Sequence, residues 1–277
     1  MGEKAHGHSK GRKPPSSKGH RGGGYGASRG GRGRYGRTGG GGFPPRREGQ
    51  GRSKDSGTRP QLDLSAGAQL PRWVQEEVNR NTRKERRQAV LQYLEAAAEA
   101  FADAKYGKAA QRAEQAKEAS SSNATIREIL GLSYYRLGRW KEALKELRGF
   151  RRISGETTHM PVEMDCLRAL ERSHDVEKVW AQLHDLGGRR DTMREGRVVY
   201  GSYLLDAGRL DEAWKVINPK KIHKEADESS LRQWYVAARV AARLGDNSSA
   251  RQLVSAITTA DPGFPGLDQL EQEIAAS

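Results

Sequence analysis

The densest gathering of chemically capable side chains in the sequence is Glu156, His159, Glu163 and Cys166. A thiol, an imidazole and two carboxylates in one short stretch are the raw material of a metal site or an activated cysteine. On a helix His159 and Glu163 share a face, four residues apart, but no second histidine joins them. Thr157-Thr158 followed by Pro161 reads instead as a helix cap and first turn. Cys166 sits in an apolar-periodic run with Met164, Leu167 and Leu170, which predicts a buried, inert thiol. As the only cysteine it excludes an intrachain disulfide framework. His6-Gly7-His8 with His20 has no further ligand at useful spacing. Gly31-Arg32-Gly33-Arg34-Tyr35-Gly36 matches the dinucleotide fingerprint in letters alone, because low-complexity sequence flanks it on both sides where a strand and a helix are needed. No nucleophile elbow, P-loop or paired catalytic carboxylate occurs. The expectation is a protein that is no enzyme and uses no cofactor or metal.

A second set of residues points to binding. Arg21, Arg29, Arg32, Arg34 and Arg37 lie among glycines, with Tyr25, Tyr35 and Phe43 interleaved. Guanidinium groups pair with phosphates and stack on bases, tyrosines add stacking that tolerates any sequence, and glycines let the backbone follow an irregular strand. The segment resembles an RGG box of RNA-binding proteins, which implies single-stranded RNA or another polyanion as its partner. The alternative is a flexible, solubilising leader. Residues up to Gln69 hold fifteen of the chain's 49 lysines and arginines against four of its 35 acids. Most of the net charge of +14 therefore belongs to this tail, and the remainder is close to neutral. Hardly an aliphatic residue precedes Leu62. Residues 1–69 are accordingly expected to be a disordered tail, and residues 70–277 the folded part. No apolar run reaches the ~18 residues a membrane span needs, and the N-terminus has no apolar h-region. Both features favour a cytoplasmic protein.

From Arg72 onward the apolar periodicity is helical and no two-residue alternation appears, so the predicted class is all-α. The chain also repeats itself. Tyr106 precedes Trp140 by 34 residues, as Ala109 precedes Ala143, and Ala109, Ala143, Val176, Ala213 and Ala250 mark five units with steps of 34, 33, 37 and 37. The clearest copy is Leu130-Gly131, Tyr134, Leu137-Gly138, Trp140, Ala143 and Leu147; Tyr200-Gly201 through Ile217 and Trp234 through Pro262 repeat it. Small residues Gly131 and Ala143 suit a close helix crossing, and Gly138 suits a chain reversal. The weakest copy, from Met164 to Trp180, lacks both the small residue and the turn glycine.

This pattern resembles the tetratricopeptide-repeat (TPR) family over about residues 89–276. The resemblance implies an α-solenoid of about five helical hairpins, approximately 90–123, 124–156, 157–193, 194–230 and 231–264, with a capping helix at 265–276. Helix Arg72–Arg87 caps the other end, and the longer steps imply extended loops near Gly187-Gly188 and Pro219-Lys220-Lys221. In such solenoids the first helix of each pair lines a protein-binding groove. Carried over by register, the groove residues are Tyr135, Arg136, Asp165, Arg168, Arg232, Tyr235, Arg239 and Arg243. Their arginines suit an acidic or carboxylate-bearing segment of a protein partner. The alternative is a solvated face whose arginines pair with neighbouring repeats. The slots that hold a terminal carboxylate in chaperone-binding members carry Ala98, Leu132, Asp165, Ser202 and Arg239, so the chain does not resemble that subclass.

Overall fold

A computed structural model describes residues 59–65, 69–223 and 225–275. Arg21, Tyr25, Arg29, Arg32, Arg34, Tyr35 and Arg37 lie outside the described residues. Within them are twelve α-helices and no strand. The helix α1 (Arg72–Asn81) precedes a 3-10 turn at Lys84–Arg86. Five hairpins follow: α2 (Arg87–Ala102) with α3 (Tyr106–Ala119), α4 (Ala124–Arg136) with α5 (Trp140–Ser154), α6 (Met160–Ala169) with α7 (Ser173–Leu186), α8 (Arg190–Asp206) with α9 (Leu210–Ile217), and α10 (Glu228–Arg243) with α11 (Asn247–Ala260). A last helix, α12 (Leu267–Ala275), packs on α10 and α11. Each hairpin's second helix packs on the first helix of the next, and α8 also touches both α6 and α10.

All five hairpins turn in the same way. Ala104, Gly138, Glu171, Gly208 and Gly245 each adopt a positive φ, between 56° and 78°. The residue after each accepts nearly one conformation, from Lys105 (φ −85, ψ 58) to Asp246 (φ −82, ψ 70). Its N–H donates to the carbonyl five residues back, as in Arg139 to Tyr134 O, Arg172 to Leu167 O and Arg209 to Leu204 O, each at 2.9 Å. This closure satisfies helix-end carbonyls that would otherwise be orphaned. Three of the five positions are glycine, which adopts the left-handed region without strain. Ala104 and Glu171 adopt it at a cost of roughly 1–2 kcal/mol each.

The helix crossings explain the small residues. A Cβ built on Gly131 would lie 2.7 Å from Leu147 Cδ2, and one on Gly201 would lie 3.1 Å from Ile217 Cβ. In the third hairpin the same slot holds the fully buried Met164. The space is recovered from the next hairpin: a Cβ on Gly196 would lie 2.7 Å from Leu183 Cδ2, 3.2 Å from Trp180 and 3.7 Å from Met164 Cε. Gly196 is thus the small residue that this copy lacks internally.

Several expected boundaries move. Helix α1 stops at Asn81, where Thr82 turns extended and its buried hydroxyl donates to Ser120 Oγ at 2.8 Å. The basic run Arg83–Arg86 is exposed on the 3-10 turn, while Arg87 begins α2 and donates from Nε to Thr82 O. Only residues 187–189 separate α7 from α8. The extra length there is helix, since α8 has 17 residues against 13 in α4. The second long step is a true loop, residues 218–223 and 225–227, after an α9 of only 8 residues. The packed chain also starts before Leu70. Leu62 and Leu64 are buried with Leu70 in the core that includes Val74 and Val78, and Arg59 is 15% exposed among four partners from α1, α4 and the α5–α6 loop. The expected tail boundary at Gln69 therefore falls about ten residues too late. Leu62 and Leu64 lie two residues apart, and burying each contributes about 1.5–3 kcal/mol toward holding the segment on the core.

Candidate functional site

The first helices α4, α6 and α8 carry one continuous polar chain. The Tyr135 hydroxyl on α4 donates to Asp165 Oδ2 on α6 at 2.6 Å. Arg168, one turn along α6, donates from Nε and Nη2 to Asp165 Oδ1 at 3.1 and 2.9 Å, and from Nη1 to Asp206 Oδ2 at the end of α8 at 2.7 Å. The sequence thus brings Tyr135, Asp165 and Arg168 together as the register implies, with Asp206 as a fourth member. Burial, together with the Asp165 carboxylate, pushes the Tyr135 phenol well above its usual range, so it stays a neutral donor. Burial disfavours the charged form of Arg168, but Asp165 and Asp206 outweigh it and hold the guanidinium protonated. The row ends in water: the Asp206 side chain is 55% exposed and that of Arg168 37%.

The remaining groove residues are dispersed. Arg136 leans over the Tyr106 ring of the preceding hairpin, 5.9 Å from its centroid. Arg232 on α10 pairs with Glu195 on α8 at 2.7 Å. Tyr235 is covered by the segment before α12: its ring stands 5.6 Å from that of Phe264, and a Cβ on Gly266 would lie 2.7 Å from its hydroxyl. Arg239 points to Glu273 on α12 at 3.5 Å. Arg243 is exposed in the last turn of α10. The arginines of α10 do not form one free patch, because α8 and α12 supply carboxylates to two of them. Arg194 of α8 repeats the theme with Asp227, whose carboxyl is held down at about 2 by hydrogen bonds from Ser230 and Arg194.

The Glu156, His159, Glu163 and Cys166 set comes apart. Glu163 is buried against Arg151, which donates Nε and Nη2 to its two oxygens at 2.9 and 3.0 Å. His159 Nε2 lies 2.8 Å from Glu128 Oε1, and its ring meets Phe150 edge-on. Glu156 accepts from the Arg59 backbone, and Cys166 is fully buried. Among the described residues no group of three or more His, Cys, Asp or Glu is placed to hold a metal ion.

Sequence reasoning missed Arg59, Glu77 and Glu128. Glu77 of α1 accepts from Ala124 N at 2.7 Å and Thr125 N at 3.2 Å, which places a carboxylate at the positive end of α4. Glu128 accepts from Arg59 Nη1 and faces His159. The signal available was the pair Leu62 and Leu64, the first aliphatic residues after the low-complexity run. Among the described residues, no helix is long and apolar enough to cross a membrane. No protein-family model matches the chain, and a search of curated proteins finds no significant match.

Proposed function

We propose that the chain is a non-enzymatic adaptor of the tetratricopeptide-repeat kind. Its hairpin stack holds an acidic segment of a protein partner along the first-helix face, and its arginine- and tyrosine-bearing tail holds single-stranded RNA or another polyanion. The observation that carries the protein-binding half is the row Tyr135–Asp165–Arg168–Asp206, which joins three consecutive first helices and opens to solvent at Arg168 and Asp206. Exposed ion pairs contribute about 0–1 kcal/mol each. A partner carboxylate can therefore replace Asp206 on Arg168, or Glu195 on Arg232, at small loss to the fold, and gain charge-assisted hydrogen bonds in return. The tail half rests on Arg21, Arg29, Arg32, Arg34 and Arg37 with Tyr25 and Tyr35, whose chemistry is that of stacking and phosphate pairing.

The test is a tagged full-length protein used as bait with and without RNase. Arg168→Glu with Arg232→Glu should lose the directly bound protein while retaining helix content. Arg139→Glu, in the turn before α5, should retain it. Equal loss from both variants, or from neither, removes the groove reading. Proteins released by RNase, together with salt-dependent binding of a mixed-sequence RNA strand that disappears when residues 1–58 are deleted, report the tail half. Log K for that strand should fall with log salt by ~0.7 per phosphate neutralised. RNA binding that survives the deletion unchanged would remove the tail reading, and no RNA binding by the full-length chain would leave a plain protein scaffold.

A further inference from the structure

The geometry around Arg59 points to an arginine-recognition site, built from α1, α4 and α5, whose resident ligand is the chain's own basic segment. The guanidinium lies between two aromatic rings, 4.5 Å from the Trp73 centroid and 5.1 Å from that of Phe150. Nη1 donates to Glu128 Oε2 and Nη2 to Thr125 Oγ1, both at 2.8 Å. Glu77 Oε2 stands 3.5 Å from Nε. The Arg59 backbone N–H donates to Glu156 Oε1 at 3.1 Å. Aromatic faces, a buried carboxylate and a hydroxyl set for a planar fork are what distinguish arginine from lysine.

The socket is built without the ligand's help. Trp73 and Glu77 are one turn apart on α1, Thr125 and Glu128 lie in the first turns of α4, and Phe150 sits in the core of α5. Its walls are fixed by other contacts. Glu77 is held by three donors of Ala124 and Thr125, and Glu128 is held by His159. Burial would push the Glu128 carboxyl up, yet His159 and Arg59 outweigh it and keep the group ionised. The Glu128 side chain is only 2% exposed, and a carboxylate so buried is stabilised by the cation that Arg59 supplies. One polar atom is unmet, and it belongs to the ligand: Arg59 Nε has no acceptor. An opening of about 280 Å³, lined by Trp73, Glu77, Arg80 and Ile153 among others, lies beside the guanidinium and gives it a route to solvent.

Arg59 precedes the first helix and follows a long basic run in sequence, so it is exchangeable for another arginine of the same surroundings. The site thus holds Arg59 against α1 and the second hairpin, and would accept the arginine of another basic segment when Arg59 leaves. This does not depend on the groove reading above: both use α4, but the groove uses Tyr135 near its end and the Arg59 site uses Thr125 and Glu128 in its first turns.

Chemical rescue of the full-length Arg59→Ala chain tests it. The variant keeps Leu62 and Leu64 in place. Ethylguanidinium in the millimolar range should raise its melting temperature toward wild type and change the Trp73 fluorescence. Ethylammonium should bind about tenfold more weakly, since it lacks the stacking plane. A peptide spanning residues 56–62 should bind the variant and not wild type. Adding Glu128→Gln should remove both effects. If Arg59→Ala does not fold alone, ethylguanidinium present during refolding must restore the helical signal. No rescue in either form, or equal rescue with Glu128→Gln present, would make the contact a fixed structural ion pair and overturn the site.

Discussion

The second and third hairpins perform the same turn and the same packing with opposite side chains. In the second, Gly131 admits Leu147 at the crossing and Gly138 makes the turn; in the third, Met164 fills the crossing and Glu171 makes the turn at φ 57. The pattern of preferred residues is therefore one solution to a geometry that the neighbours can also impose. Where the crossing residue is large, the small residue moves to the next hairpin as Gly196. Where the turn residue is not glycine, the five-residue-back hydrogen bond holds the left-handed conformation in spite of its local cost.

The N-terminal end, where neither hairpin rule applies, should show the largest effect. Deleting residues 1–69 removes Arg59, Leu62 and Leu64, whereas deleting residues 1–58 leaves them. Full burial of each leucine contributes about 1.5–3 kcal/mol, and breaking a buried ion pair costs about 3–5 kcal/mol. The melting temperature of the longer deletion should therefore fall well below that of the shorter one; equal values would mean the segment adds nothing. At the crossing, opposite substitutions should hurt. Met164→Ala opens a cavity and should cost about 2–5 kcal/mol by chemical denaturation. Gly131→Leu overpacks and should cost about 1–3 kcal/mol or more. If Met164→Ala is neutral, Gly196 is not what makes room for it.

At the turn the signs reverse in a smaller range. Glu171→Gly should stabilise by about 1 kcal/mol, and Gly138→Ala should destabilise by about the same amount, from relief or imposition of left-handed strain. Equal and opposite shifts would show one turn geometry with interchangeable residues. The smallest effect on stability is expected for Cys166, whose reactivity reports the packing of α6. Burial, with Asp165 and Glu163 nearby, pushes its thiol up to about 12. Alkylation should therefore stay slow in the native protein at mildly alkaline pH and accelerate only with unfolding; rapid native labelling would place α6 nearer the surface.

Much of the fold was legible. The steps of 34, 33, 37 and 37 that Ala109, Ala143, Val176, Ala213 and Ala250 mark are also the steps between the five positive-φ residues, because each turn lies five residues earlier. Apolar spacing and small residues encode such local geometry directly. The candidate site was half legible. The family resemblance, carried over by register, set Tyr135, Asp165 and Arg168 on one face, but did not show that Phe264 and Gly266 cover Tyr235 or that α12 brings Glu273 to Arg239, since a helix's docking angle is set by side chains distant in sequence. Arg59 was hidden for a different reason. Its composition belongs to the tail, and its partners Glu128 and Glu156 lie 69 and 97 residues away.

That separation has a consequence for synthesis. Each interior hairpin closes contacts between helices made within moments of each other on the ribosome. Helix α1 emerges first but waits: Glu77 meets Ala124 only after 47 further residues, and Arg59 meets the Glu156 carboxylate only after the second hairpin is complete. The segment from Arg59 through α1 is therefore among the last described parts to settle, and loop-closure entropy makes its docking the slow local step of an otherwise short-range fold. A nascent chain halted before Glu156 would lack one acceptor for Arg59, and one halted before Thr125 and Glu128 would lack the partners of its guanidinium as well.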